Sequence, residues 1–191
     1  MTDIMLDLET LGTKSDSVIL SIGAAAFNED SIINEFYTTI NAQSCVEKGL
    51  KMYPDTVCWW ANQSDAAKKG IFESTITLPA ALSDFSLWVR SMEANMLDSV
   101  RMWGNGEDFD NVVLREAYLK VGSPPSRIPW HFRNNMSYRT LKNLLPHVEI
   151  KRVGEHHNAL DDAKSQALHA IKLLKELHHD IKKQNLIKTH S

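Results

Sequence analysis

An α/β fold, a mixed central sheet with helices packed on its faces, is the architecture that the sequence predicts. Three observations carry that prediction. Apolar runs of strand length come first and are joined by short polar connections, the mark of antiparallel neighbours. From Pro54 onward, helical patterns alternate with one further strand-like run, the order that lays helices on a sheet. At 191 residues, with 43% hydrophobic and 24% charged residues, the chain suits one well-packed domain.

The elements follow in order. Strands are expected over residues 4–8, 18–27 and 33–40, with Gly12, Ser15, Asp16 and Asn28-Glu29-Asp30 in the connections, so the chain opens as a three-stranded meander. A helix is expected from Pro54, a residue suited to a first turn, to a stop at Gly70. A second runs from Pro79 to about Asn95, with Leu82, Phe85, Val89 and Met92 on one face. "SVRMWGNG" reads as a buried strand ending in a glycine-rich turn, and "DFDNVVLREAYLKVG" as a helix that Asp108 caps and Gly122 closes. "SPPSRIPWHFRNN" holds three of the six prolines and reads as a loop. "YRTLKNLL" is a short helix and "HNALDDAKSQALHAIKLLKELHH" a long one. One domain over residues 1–181 is expected, with a frayed polar tail over 182–191.

Composition narrows the class. The net charge of −3 does not advertise a nucleic-acid binder, yet it is compatible with one whose carboxylates are neutralised by metal. Cys45 and Cys58 lie in no metal-ligand spacing, which argues against a disulfide scaffold and for a reducing, cytoplasmic setting. The apolar stretch over residues 18–27 is too short for a bilayer and has no basic leader, so no membrane association is expected.

The acidic residues are less ordinary. On a strand, Asp7 and Glu9 point to one face, and two like charges so close call for a cation between them. They sit at the carboxyl end of a strand, where sheets of this class bind ligands. Glu107, Asp108 and Asp110 crowd the turn after the buried strand, and Asp161 and Asp162 open the long helix just after His156 and His157. Any one of them has a bland explanation, because carboxylates are stabilised at helix N-termini.

As a set they are more specific. "DLETLG" resembles the D-x-E-T-x-G motif of the DEDD superfamily of 3′–5′ exonucleases, "FDNVVL" its second motif, and "HNALDDA" the H-x-A-x-x-D motif of its DnaQ-like, histidine-bearing branch. "TVCWWANQSDAA" is similar to a T-x-x-W-W-x-x-Q-S segment of the phage DexA-type enzymes and of exoribonuclease-like domains. There are two departures. Asn105 lies one residue too far from Phe109 for H-N-x-x-F-D, and "MSYRTL" lacks the aspartate of a D-T-L segment, which leaves Arg139 without an assigned role.

The resemblance implies an RNase H-like fold and a 3′–5′ exonuclease acting on single-stranded nucleic-acid 3′ ends, DNA favoured over RNA, that releases nucleoside 5′-monophosphates. A non-catalytic binding module on the same fold is the rival from another class. Two Mg²⁺ or Mn²⁺ ions are implied, with Asp7 bridging both, Glu9 and Asp162 completing one and Asp110 the other. Hard cations prefer such oxygen ligands. His157 would take the proton of the attacking water. A register pairing His156 with Asp161 has the same spacing, and Ala159 favours His157.

The backbone at Thr10 and Leu11 would meet the terminal nucleotide, with Leu11 as a wedge against the last base. Phe109 and Trp60 are candidates to stack a base, since every base offers a π-face. Trp59 points about 100° away from Trp60 on a helix, so one of the two faces substrate and core packing competes for both. Arg127, Arg133, Lys142, Lys151 and Arg152 are scattered and read as solvated. The sequence leaves the oligomeric state open, a homodimer included.

Overall fold

β1 (Thr2–Thr10) lies in the middle of a five-stranded sheet in the computed structural model, which describes residues 2–92 and 100–188. The strand order is β3-β2-β1-β4-β5. β2 (Ile19–Phe27) and β3 (Ile32–Thr39) complete the expected antiparallel meander, within one residue of the predicted bounds. β4 (Val100–Gly104) joins β1 in parallel, a pairing that the long helical crossover before it makes possible. Its parallel neighbour β5 (Asn135–Ser137) lies at the end of the segment expected to be loop. Three residues are too few to show an alternating pattern, so only the pairing with β4 reveals this strand.

The alternation along β1 sorts the two cores. Ile4, Leu6 and Leu8 point into the larger cluster, with Leu82, Phe85, Val89, Val113 and Leu114 from α4 (Leu78–Met92) and α5 (Asp110–Lys120). Met5 points to the other face, against Ala163, Ala167 and Ala170 of α7 (Ala159–Lys188), and Asp7 and Glu9 follow it by the two-residue period. The two carboxylates therefore lie on the α7 face. The alanines of α7 let it settle closely on β2, and Gly23, opposite Asp7 in the ladder, completes the fit. A Cβ at Gly23 would overlap the carbonyl carbon of Ala159 and the amide of Leu160. This glycine is therefore what admits the start of α7 to the strand that carries Asp7.

Several elements differ from expectation. The helix expected over residues 54–70 is two: α2 (Pro54–Ala61) stops where Asn62 caps it, and α3 (Asp65–Lys68) starts after Ser64, whose hydroxyl accepts from the Ala67 amide at 3.2 Å. The six-residue α1 (Ala42–Glu47), capped by Asn41 through the Ser44 amide at 2.9 Å, is too short to show a periodicity. The expected end of the next helix near Asn95 lies outside the described residues. α6 (Tyr138–Leu144) is as expected, while α7 continues to Lys188, past the point where a frayed tail was expected. Among the described residues, no helix is long and apolar enough to cross a membrane.

Candidate active site

Three elements deliver four carboxylates to one cleft of about 480 Å³. β1 supplies Asp7 and Glu9. α5 supplies Asp110, its first residue, whose Oδ1 accepts from the Leu8 amide at 3.1 Å. Asp108 is not the cap of that helix: Phe109 takes the position without a side-chain bond, and Asp108 is exposed. Asn111, fully buried, pins the same turn by donating to the Met102 carbonyl of β4 at 2.8 Å. α7 supplies Asp162, and Asn158 explains why it is free to do so. The Asn158 side chain accepts from the Leu160 and Asp161 amides at 3.1 and 3.2 Å, taking the capping task from the aspartates.

The structure sets His157 beside Asp162. His157 stands at φ +64°, a backbone region that L-residues seldom occupy, and its amide donates to Asp162 Oδ2 at 3.1 Å. Asp161 turns away and accepts from the Glu155 amide at 2.9 Å. Donor atoms of Glu9, His157 and Asp162 lie within 4.8 Å of one another, a spacing that suits a metal ion. His156 also lines the cleft, its ring 3.8 Å from that of His157, but it has no such grouping among the described residues.

The electrostatics favour a cation. Burial, then the charges of Asp110 and Glu9, hold the Asp7 carboxyl well above the usual range, against the opposing hydrogen bond from Gln166 Nε2 at 2.7 Å. Burial, then Asp110, raises Glu9 to about 7, and burial raises Asp110 to about 7 despite the Leu8 amide. Burial, then the neighbouring His156 and Arg152, lowers His157, which favours its neutral imidazole. Arg152 forms an ion pair with Asp162 and brings the cleft a positive charge of its own. The donor set fits hard divalent ions, which relieve the repulsion that burial concentrates here.

A stability profile follows. In metal-free protein, Glu9 and Asp110 keep protons up to about pH 7 that the unfolded chain releases near its ordinary values of 4.5 and 3.8. Stability linked to a raised pKa is present below the unfolded value and is lost as pH rises through the folded one. The melting temperature of Asp110→Asn should therefore overtake that of the wild type progressively between pH 4 and 7, and Mg²⁺ should narrow the gap. A constant difference across that window would contradict a shared desolvated site.

Two residues expected at the substrate serve the core instead. Leu11 is 3% exposed and packs in the larger cluster, so it presents no edge to a base. The backbone beside it is already engaged: the Leu11 amide donates to Val18 at 2.9 Å, and its carbonyl accepts from the Tyr53 amide at 2.7 Å. Trp60 is 2% exposed, and its indole donates to the Thr10 carbonyl at 2.9 Å, so it braces the end of β1 rather than stacking a base. The Thr10 hydroxyl is likewise committed, to the Gly12 carbonyl at 2.6 Å.

Trp59 is the open one of the pair, 41% exposed, with its ring edge-on to His157 at 4.8 Å. It shares with Phe109, Glu9 and Thr10 a second hollow of about 420 Å³ beside the carboxylates. Sequence reasoning missed Gln166 and gave Arg139 and Arg152 no place in the cleft, though all three line it. Gln166 had a readable signal, since it lies four residues beyond Asp162 on the same helical face. The arginines had none, because loop and helix-start positions acquire a direction only from the fold.

The exodeoxyribonuclease of Enterobacteria phage T4 is 23% identical over 124 residues, 60% of this chain and 54% of that protein, so the chain spans about half the length of the curated relative it matches. Among solved structures, the nuclease domain of 3'hExo, a DEDDh family member solved with rAMP, superposes with a TM-score of 0.62 at 14% identity, covering 92% of both chains. E. coli exonuclease I in complex with a dA16 oligonucleotide gives a TM-score of 0.60 at 14% identity, covering 98% of this chain and 45% of that one. These likenesses establish the expected RNase H-like fold. The model of the 3'-5' exoribonuclease Rv2179c-like domain matches residues 2–174, which takes in β1, the Asp110 turn and the start of α7, and the chain belongs to that family.

Proposed function

We propose that this chain is a divalent-metal-dependent 3′–5′ exonuclease that releases nucleoside 5′-monophosphates from single-stranded 3′ ends, with DNA as the favoured polymer. The observation that carries the reading is the meeting of Asp7, Glu9, Asp110 and Asp162 with His157 in one partly desolvated cleft. A binding module has no use for this set, since buried carboxylates repel phosphate. Asp7, Glu9, Asp110 and Asp162 would hold two Mg²⁺ or Mn²⁺ ions, which when bound stabilise charge on the attacking and leaving oxygens. Gln166 fixes the Asp7 carboxylate for that task through its amide.

The remaining work falls to side chains of this chain. Neutral His157 accepts the proton of the attacking water, and the edge of Trp59 limits the directions its ring can take. Arg139 and Arg152 offset phosphate charge at the cleft wall. The terminal base enters the hollow between Trp59 and Phe109, next to Glu9 and Thr10. His157→Ala is expected to lower turnover about 10²–10⁴-fold while Mg²⁺ binding persists, since a base contributes to rate and carboxylates to affinity. His156→Ala should be mild, and the reverse ranking would overturn the assignment.

The test of the whole reading is polarity. A 5′-labelled single strand should shorten one nucleotide at a time. A 3′-phosphate should block it, because it would add charge beside Glu9 where the polar groups of Thr10 and Leu11 are already paired. A closed circle should stay intact. Cutting of the circle, or indifference to the 3′ cap, would point to an endonuclease or phosphatase. RNA is the second reading, favoured by the exoribonuclease description of the family, whereas the phage relative favours DNA. Digestion of DNA and RNA of one sequence side by side decides between them. The two cysteines, both free, support a reducing cytoplasmic setting. Light scattering of the purified chain tests for the homodimer.

A further inference from the structure

Residues 117–148 contain five lysines and arginines and no aspartate or glutamate, in a chain whose net charge is −3. Near the middle of this run stands Phe132, in a 3₁₀ turn (Phe132–Asn134) that leads directly into β5. The residue is 52% exposed, which leaves an aromatic face open to solvent within this basic run. The Arg115 and Arg133 guanidinium carbons lie 5.6 and 5.9 Å from its centroid, and the His131 ring lies 4.6 Å away. Neither arginine has a carboxylate within ion-pair distance among the described residues. The ring belongs to neither core cluster, and among the described residues no acidic group pairs with the two charges.

The cluster is tied to the cleft along two elements. Arg115 is five residues beyond Asp110 on α5, roughly 7.5 Å along the helix axis. From Phe132 the chain passes through β5 to Arg139, which lines the cleft and whose amide donates to the Asn105 carbonyl at 3.2 Å. The base hollow of Trp59 and Phe109 opens from the cleft at Leu8 and Glu9. Arg139 reaches the cleft from the β5 side. A strand whose terminal base occupied that hollow and whose scissile phosphate faced the carboxylates would leave the cleft on the side of Arg139, from which β5 leads back to Phe132.

We infer that Phe132, with Arg115 and Arg133, is a second nucleic-acid subsite that stacks a base upstream of the scissile bond and holds the adjoining phosphates. Its place on the 5′ side rests on the exonuclease reading. An exposed aromatic ring takes any base, while guanidinium groups take backbone phosphate, so the subsite selects single strands long enough to reach it rather than a sequence. It acts on affinity and on how long the strand stays bound, apart from the chemistry at the carboxylates.

The test is fluorescence anisotropy of a labelled 12-nucleotide single strand in EDTA, where hydrolysis does not intervene, with the full chain. Phe132→Ala should weaken binding about 5- to 100-fold, while Phe132→Tyr, which keeps the ring, should stay within about threefold of the wild type. Arg133→Gln should reduce the salt dependence of binding by roughly 0.7 in the log–log slope, the share of one phosphate contact on a single strand. Binding of Phe132→Ala within about twofold of the wild type, or an equal loss in Phe132→Tyr, overturns the subsite. Digestion with Mg²⁺ is run on the same wild-type sample. Ring-dependent binding without digestion would sink the exonuclease reading and the 5′ placement but keep the binding site. Digestion with ring-independent binding would do the opposite.

Discussion

Asp7→Ala is expected to lower exonucleolytic hydrolysis by on the order of a thousandfold or more, with a metal-free melting temperature equal to or above that of the wild type. The two effects have one origin. Asp7 stands between Asp110 and Glu9, and burial together with those two charges raises its pKa well above the ordinary carboxylate value. Removing it relieves repulsion in the metal-free fold while it deletes one of the carboxylates that would hold the metal ions. Asp162 should lose as much activity but behave differently in stability. Its Oδ2 accepts from the His157 amide, and it pairs with Arg152, so Asp162→Ala gives up a hydrogen bond worth about 1 kcal/mol. Asp162→Asn, which keeps an acceptor for His157, separates the two roles. Hydrolysis within tenfold of wild type for Asp7→Ala and Asp162→Asn would refute the placement of the metal ions. Melting curves recorded on the same samples exclude misfolding as the cause.

Gly23→Ala is expected to cost both stability and activity, although Gly23 carries no chemistry. The added methyl would collide with the backbone of Ala159 and Leu160 rather than with the end of a flexible side chain. The start of α7 must then move away from β2. Overpacking of this kind costs about 1–3 kcal/mol, and a backbone obstacle belongs at the upper end. Displacement of Asp162 and His157 by about 1 Å would lower hydrolysis by on the order of 10²-fold beyond any loss of folded protein. The measurement is turnover per folded molecule, set beside the melting temperature. A variant that melts like the wild type and retains full turnover would mean that α7 is not held by this contact. Gly104 makes a related case, since a Cβ there would lie 2.7 Å from Oδ1 of Asn111, the buried side chain that pins the turn of Asp110.

The carboxylate motifs were legible in the sequence because each is local. Asp7 and Glu9 share a face by the two-residue period of a strand, and His157 and Asp162 are five residues apart at a helix start. The order of strands and helices followed from hydrophobic period and from prolines and glycines at their ends. Elements that missed detection, α1 and β5, are six and three residues long and depend on a cap or a partner strand for their existence.

Burial was decided by the tertiary structure alone. Leu11 and Trp60 look available in a motif, yet one sits in the core and the other donates its indole proton to Thr10, which leaves Trp59 to face the hollow beside the cleft. The same holds for Gln166, Arg139 and Arg152, which reach the carboxylates across gaps of up to 159 residues in the sequence. By itself the sequence determined which groups can carry chemistry, because residue type and short-range period are properties of a single segment. Which of those groups meet, which are enclosed and how far their protons are held depend on segments that touch only after folding, and no single segment encodes its neighbours.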